Sequence, residues 1–275
     1  MIHGNHRLIV HFLYGDTSLG LIPYLKKILP IDIIATIHSC PSDLPEVVQK
    51  PNLLSSVDEF ILLGSNQKPF FYKHGIQDEK LNVIPHGVDT QFYHPAKSVK
   101  PNSKLKLLTV GNWRRNFRWY RELAAALNRK EIDFQFTIIA DEAYHTALKG
   151  IANIHLKSGI DDMELLDLYQ KSDVLVMGVE DAVANNVVLE AMACGLPIIS
   201  ESVGAVAEYL GGTGMLVNPG DTRSAINWLE KIHRNSDLKD KISRSLRKRA
   251  QLFQWHHIAE QTAKRYRHMG WGASS

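Results

Sequence analysis

The chain reads as an α/β protein built on parallel sheets, and three observations lead there. From residue 104 onward, apolar strand-like runs alternate with helical segments in β-α order. The run Asp173 to Val179 is almost continuously apolar, as in a strand buried on both faces. It ends in the polar stretch Glu180-Asp-Ala-Val-Ala-Asn-Asn186, and the helix that follows is stopped by Gly195 and Pro197.

The elements follow in order. Leu8 to Leu13, Ile31 to His38 and Glu59 to Gly64 are strand-like, with helical segments near Tyr24 to Leu29 and Gln67 to His74. A Pro, Ser and Lys-rich stretch, Tyr93 to Ser103, has linker composition. Beyond it, strands are predicted at Lys104 to Gly111, Phe134 to Ala140 and Asn153 to Lys157. Helices are predicted at Trp119 to Leu127, Asp141 to Lys149 and Asp161 to Lys171, the last opened by an acidic cap. After the helix ending near Gly195 come a strand at Pro197 to Ser200, a helix at Ala205 to Leu210 and a strand at Met215 to Val217. The turn Asn218 to Asp221 opens the closing helices, and Trp255 to Met269 forms a last basic one. The expected domains are 1–96, 97–252 and a C-terminal helix and tail at 253–275.

Composition narrows the class. With 275 residues, 44% hydrophobic and 22% charged, the chain has the profile of an ordinary globular protein with room for two domains. A net charge of +3 is too small to imply nucleic-acid binding. The cluster Arg244, Arg247, Lys248 and Arg249 is expected to be a solvated helix face, or else to meet an anionic surface. Cys40 and Cys194 lie far apart, which suggests neither a disulfide framework nor a thiolate metal site. The thirteen histidines show no metal-ligand spacing. The start, Met-Ile-His-Gly-Asn-His, lacks a secretory layout, and no run of about eighteen apolar residues occurs. A cytoplasmic location is expected, with the basic last helix suited to the inner membrane surface.

The loop from Glu180 to Asn186 sits at a strand's carboxyl end, where open α/β sheets bind ligands. Asn185 or Asn186 caps the next helix. Its first amides, at Asn186 and Val187, suit a diphosphate, and Glu190, one turn inside, can accept two hydrogen bonds from a ribose diol. Locally, the alternative of a solvated loop and a surface glutamate stays open.

Several pieces together resemble the retaining glycosyltransferases of the GT-B architecture, family 4 type, or glycosyl transferases group 1. Val83-Ile-Pro-His-Gly-Val-Asp-Thr-Gln-Phe-Tyr-His-Pro95 is similar to that family's linker signature. Glu190-Ala-Met-Ala-Cys-Gly-Leu-Pro197, Val203 to Glu208 and Gly214 to Asp221 match its donor-domain core in order and spacing. Phe253-Gln-Trp255 followed by Tyr266 resembles its closing helix. The resemblance implies two Rossmann-like domains. The first is expected to be incomplete, because residues 1–96 are few beside the roughly 100–150 of a common domain. A sheet cut short in that way would expose a strand edge.

The resemblance also assigns roles. Glu190 stands where the second acid of a Glu-x7-Glu motif holds the donor ribose. The first acid, which holds the sugar, is replaced by Ala182; Asp181 is the expected substitute, with Glu180 in reserve. Basic residues after the first donor-domain strand neutralise the diphosphate. Gly111 ends that strand with room for close approach, and Arg115 is first choice for the charge, ahead of Arg114 and Arg118. His38 resembles the family histidine near the sugar; Gly15, Asp16 and Ser65 are weaker candidates. His86 and Asp89 are expected to fix the linker.

The implied activity moves a sugar from a nucleotide-diphosphate donor to a glycan or lipid-linked hydroxyl with retention, without metal or other cofactor. A cell-surface polysaccharide is the role most common in such a family. Two other readings remain: a nucleotide-sugar-binding protein or partner subunit without turnover, and a nucleotide-sugar epimerase.

Overall fold

The computed structural model describes residues 8–97 and 104–270. The chain forms two compact units, residues 1–86 with 255–275, and residues 87–254. The start Met1 to His6 and the linker residues 98–103 lie outside the described residues.

The first unit contains strands β1 (Leu8–Phe12), β2 (Ile31–Ile37), β3 (Glu59–Leu62) and β4 (Leu81–Val83), all parallel and ordered β1-β2-β3-β4. Its helices are α1 (Gly15–Ser18), α2 (Ile22–Ile28), α3 (Leu44–Val47) and α4 (Lys68–Lys73). The three-residue β4, with Asn82 at its centre, is too short to show alternation in sequence. The pleat of β2 sends Ile33, Ala35 and Ile37 into one cluster with Ile22 and Phe71, and Ile34 into another with Ile61 and Ile84. Ile258, from the chain's final helix (Trp255–His268), joins the second cluster. Arg265 grips the buried Glu59 with Nε and Nη2 at 2.8 and 2.6 Å, and Tyr266 and Thr36 bracket His11 at 2.6 and 2.7 Å. Burial pushes the His11 imidazole down to about 4, so it packs neutral. In the same unit Leu8, Leu13, Leu21, Tyr24 and Ile28 are exposed.

The second unit is a doubly wound sheet with a single switch point. Its strands are β5 (Leu105–Val110), β6 (Phe134–Ile139), β7 (Ile154–Lys157), β8 (Val174–Met177), β9 (Ile198–Glu201) and β10 (Met215–Val217). They run parallel in the order β10-β9-β8-β5-β6-β7, so the chain leaves β5 on one side and returns at β8 on the other. The helices are α5 (Phe117–Arg129), α6 (Glu142–His145), α7 (Asp162–Lys171), α8 (Asn186–Ala193), α9 (Val206–Leu210), α10 (Thr222–Arg234) and α11 (Ser236–Ala250), followed in the first unit by the final helix, α12. β8 is buried on both faces: Val174 and Val176 pack with α5 and α10, Leu175 and Met177 with α7, α8 and α11. No helix among the described residues is long and apolar enough to cross a membrane.

The division differs from the expected boundaries at 96 and 252 because residues 87–96 are tied into the second unit. Val88 N donates to Phe253 O at 2.8 Å, and Gln254 Nε2 donates to Thr90 Oγ1 at 2.7 Å. Arg247 donates to the carbonyls of Thr90, Tyr93 and Ala193 at 2.9, 3.0 and 2.6 Å. Arg249 likewise donates to Tyr209 O and Glu208 O at 3.0 and 2.9 Å. The cluster expected as a solvated face is therefore half structural. Its odd-numbered arginines close carbonyl groups, while Arg244 and Lys248 are exposed.

Candidate functional site

At the carboxyl ends of β5 and β8, on either side of the switch point, lie the two loops that the sequence singles out. After β5 the backbone turns through Gly111, with φ of +99°, a conformation suited to glycine. A Cβ there would also sit 2.9 Å from Nη2 of Arg115. Arg115 folds back over this turn, donating from Nε to Val110 O at 2.9 Å and from Nη1 to Trp113 O at 3.1 Å. Arg114 takes a left-handed φ of 53°, with its guanidinium 5.6 Å from the Trp113 ring centre. Arg118 does not join them: it lies in the first turn of α5, is 87% exposed and pairs with Glu122 at 2.8 Å. A position three residues beyond Arg115 has already entered the helix, which turns it away.

The loop after β8 is stitched to the arginine loop. Glu180 N donates to Arg114 O at 2.9 Å, and Arg115 pairs with Val179 in an isolated antiparallel bridge. Asp181 accepts from the amide of Ala182 at 2.8 Å. Ala182 itself is buried, its carbonyl accepting from Ala205 N at 2.9 Å. Gly204, φ +59°, is required beneath it, because a Cβ would lie 2.2 Å from Ala182 O. Glu180 is exposed.

Asn185 is the N-cap of α8, through backbone geometry rather than a side-chain bond. Its carbonyl accepts from Val188 N and Leu189 N at 3.1 and 3.2 Å, so the amides of Asn186 and Val187 precede the first helical bond. Glu190 faces α7, where Tyr169 donates its hydroxyl to Oε2 at 2.8 Å. Burial pushes its carboxyl up to about 7; hydrogen bonds from Tyr169 and Tyr93 pull the other way, and the Asp162 charge adds to the rise.

Sequence reasoning missed four side chains here: Tyr93, Asn116, Tyr169 and Glu201. Asn116 caps α5 by accepting from Trp119 N at 3.0 Å. Glu201, fully buried at the end of β9, accepts from Val179 N and Gly220 N at 2.9 and 2.7 Å. The available signal was an acid closing the strand-like run Pro197 to Ser200, which demands buried partners.

The remaining candidates belong to the first unit or to the segment after it. His38 places Nε2 2.9 Å from Leu13 O and stacks on Tyr14 at 4.7 Å. Asp16 is buried, accepting from His38 N, Ser39 N and Ser39 Oγ at 3.2, 2.9 and 2.6 Å, and so shapes the loop that carries His38. Gly15 fits where a Cβ would lie 2.5 Å from that of Ala35. Ser65 opens a short turn whose Gln67 donates to Ile37 O and Ser39 O at 3.1 and 2.9 Å. Asp89 caps the turn at Gln91 and Phe92, and His86 packs against Trp255. Among the described residues no group of three or more His, Cys, Asp or Glu is placed to hold a metal ion. A cavity of about 710 Å³ lies at the opposite, amino ends of β8 and β9, between Asp173, Pro197 and Lys239. Tyr169 lines it, but Gly111, Arg114, Arg115, Asp181, Asn186 and Glu190 do not, so chemistry rather than volume selects the site.

Comparison with known proteins bears on the family and the fold. Residues 104–235 match the family model described as glycosyl transferases group 1. The chain is 30% identical over 220 residues to D-inositol 3-phosphate glycosyltransferase of Arthrobacter sp. (strain FB24), covering 68% of this chain and 50% of that protein. It is 26% identical over 255 residues to N-acetyl-alpha-D-glucosaminyl L-malate synthase of Bacillus anthracis, covering 84% and 61%. The chain thus spans about half the length of the curated relatives it matches. In fold it is similar to sucrose-phosphate synthase from Thermosynechococcus elongatus, with a TM-score of 0.81 at 19% identity over 95% of this chain and 73% of that one. Anabaena HepE in complex with UDP-glucose gives 0.76 at 17% identity, over 94% and 78%. Two parallel sheets, the second wound about a switch point flanked by an arginine loop and an acid loop, together with these likenesses, show a chain of GT-B fold that belongs to the glycosyl transferases group 1.

Proposed function

We propose that the chain takes a nucleotide-diphosphate sugar at the carboxyl ends of β5 and β8 and transfers the sugar to an acceptor hydroxyl, on a glycan or lipid-linked acceptor, with retention and without metal. The observation that carries this is the bond from Glu180 N to Arg114 O. It fastens a cationic loop to an acidic one at the switch point, side by side where a diphosphate and its sugar would lie. That HepE was solved with UDP-glucose supports a nucleotide sugar as the ligand class.

In this reading Glu190 receives the ribose diol, and the amides of Asn186 and Val187 receive phosphate oxygens. Arg115, with Arg114 beside it, offsets the charge growing on the departing diphosphate. Asp181 holds the sugar. The bond from the anomeric carbon to the phosphate oxygen breaks while the bond to the acceptor oxygen forms on the same face. The acceptor's proton passes to the leaving phosphate.

Calorimetry with UDP and GDP tests the donor site; absence of binding by either removes it. Product anomer by NMR tests retention, and an inverted product excludes it. A nucleotide-sugar-binding role without turnover is favoured by one observation, the buried Ala182 at the family's sugar-holding position. Binding with no transferred sugar would select that reading.

A further inference from the structure

Glu201 is fully buried, and an ionised carboxylate taken from water is costly unless donors surround it. Its donors come from three loops. Oε2 accepts from Val179 N at 2.9 Å, in the acid loop after β8. Oε1 accepts from Gly220 N at 2.7 Å, in the turn after β10. Asn116 Nδ2, from the arginine loop after β5, lies 3.3 and 3.2 Å from Oε1 and Oε2. One side chain on β9 thus joins loops that follow three other strands.

The same corner is braced independently. Asn116 N donates to Gly178 O at 3.0 Å, and the Tyr120 hydroxyl accepts from Gly178 N at 3.0 Å and donates to Gly178 O at 3.1 Å. Gly178 has no room for a side chain, because a Cβ would sit 2.8 Å from the Trp119 ring. The peptide that launches Val179, Glu180 and Asp181 is therefore pinned to α5 on one side and to Glu201 on the other.

We infer that Glu201 is a positioning residue of the donor site, holding the acid loop in register with the arginine loop. It touches neither diphosphate nor sugar itself. The inference rests on the donor-site reading above. Its consequence is selective: the ribose and first phosphate, held by α8, do not depend on Glu201, whereas the second phosphate and the sugar do.

The test is a ligand ladder of nucleoside monophosphate, diphosphate and diphosphate sugar, measured by calorimetry on the full chain and on Glu201→Gln. The amide is isosteric but puts an NH2 where a backbone N–H needs an acceptor. Monophosphate affinity is expected to stay within about twofold, while the gain from adding the second phosphate and sugar falls about tenfold, as for one charge-assisted bond. Should that variant not fold, Asn116→Ser keeps a cap for α5, removes one donor to Glu201, and is measured on the same ladder. A variant that binds all three ligands like the wild type, or loses all three equally, overturns the inference while leaving the donor site standing. A wild type that binds no nucleotide overturns both.

Discussion

The Tyr169 hydroxyl donates to Glu190 at 2.8 Å, joining the face of α7 to the second turn of α8. Burial and the neighbouring carboxylate push the Tyr169 phenol well above its ordinary value, so it stays a donor at any working pH. The bond favours the ionised carboxylate, the form that would accept from a ribose diol in the proposed donor site. In Tyr169→Phe the Glu190 carboxyl is expected to rise above its value of about 7, and nucleotide affinity at pH 7 to fall about tenfold. Raising the pH should restore part of that loss. Calorimetry across pH 6 to 9 checks it; equal losses at every pH would show that the hydroxyl only packs.

Glu190 also gives stability a pH dependence with a definite sign. Its native value, about 7, exceeds the ordinary 4.5, so between these values the native state binds more protons than the unfolded one. Stability from this group is therefore intact below about 4.5, declines as pH rises toward 7, and is level above it. Glu190→Gln should remove a decline of roughly 2–3 kcal/mol. Urea unfolding of both proteins at pH 4.5 and 8 measures the difference, and parallel changes would exclude the assignment.

Strand and helix order in the second unit was legible because buried parallel strands leave continuous apolar runs, as in Val174 to Met177, and caps such as Asp161 announce helices. Gly111 and Arg115 were legible as residues at a strand's end. What lay hidden was long-range pairing. Nothing in sequence says that Glu201 meets Val179, Gly220 and Asn116, or that Tyr169 reaches Glu190, because these contacts depend on strand order. Arg247 and Arg249 misled for the same reason: their carbonyl partners, from Thr90 to Tyr209, lie far away along the chain. Arg118 stands apart from Arg114 and Arg115 for a local reason, the onset of α5 at Phe117.

Arg247 supplies a stability prediction in the second unit. It donates to three carbonyls, among them Ala193 at the end of α8, where a cation also suits the helix dipole. Arg247→Met keeps much of the stem and leaves those carbonyls without their donor. Destabilisation of roughly 2–4 kcal/mol is expected, with Arg247→Lys intermediate because an ammonium cannot match the planar fork. Chemical denaturation of the three proteins gives the ranking, and a lysine variant as stable as wild type would reduce the role to charge alone.

Gly204 underlies Ala182 with no space to spare. Gly204→Ala forces a left-handed alanine and a Cβ 2.2 Å from a carbonyl oxygen, so the Asp181-Ala182 segment must move. A loss of roughly 1–3 kcal/mol is expected, with weaker binding of the sugar nucleotide than of the nucleoside monophosphate. Thermal unfolding and calorimetry together test it; unchanged sugar-nucleotide affinity would show that the segment does not touch the sugar.

Asp181→Ala tests whether the chain transfers or only binds. Its carboxylate accepts from the next amide at 2.8 Å, a local bond that costs little to exchange for a sugar hydroxyl. Ala182 cannot substitute, because its methyl side chain has no acceptor to offer. If Asp181 holds the sugar, Asp181→Ala should lower transfer at least about a hundredfold, the scale of two charge-assisted bonds, while nucleoside diphosphate affinity changes less than about threefold. Asp181→Asn, retaining one acceptor, should fall between. Full transfer by the alanine variant would pass the role to Glu180, the only other acid in the stretch Glu180 to Leu189, and Glu180→Ala would then carry the loss.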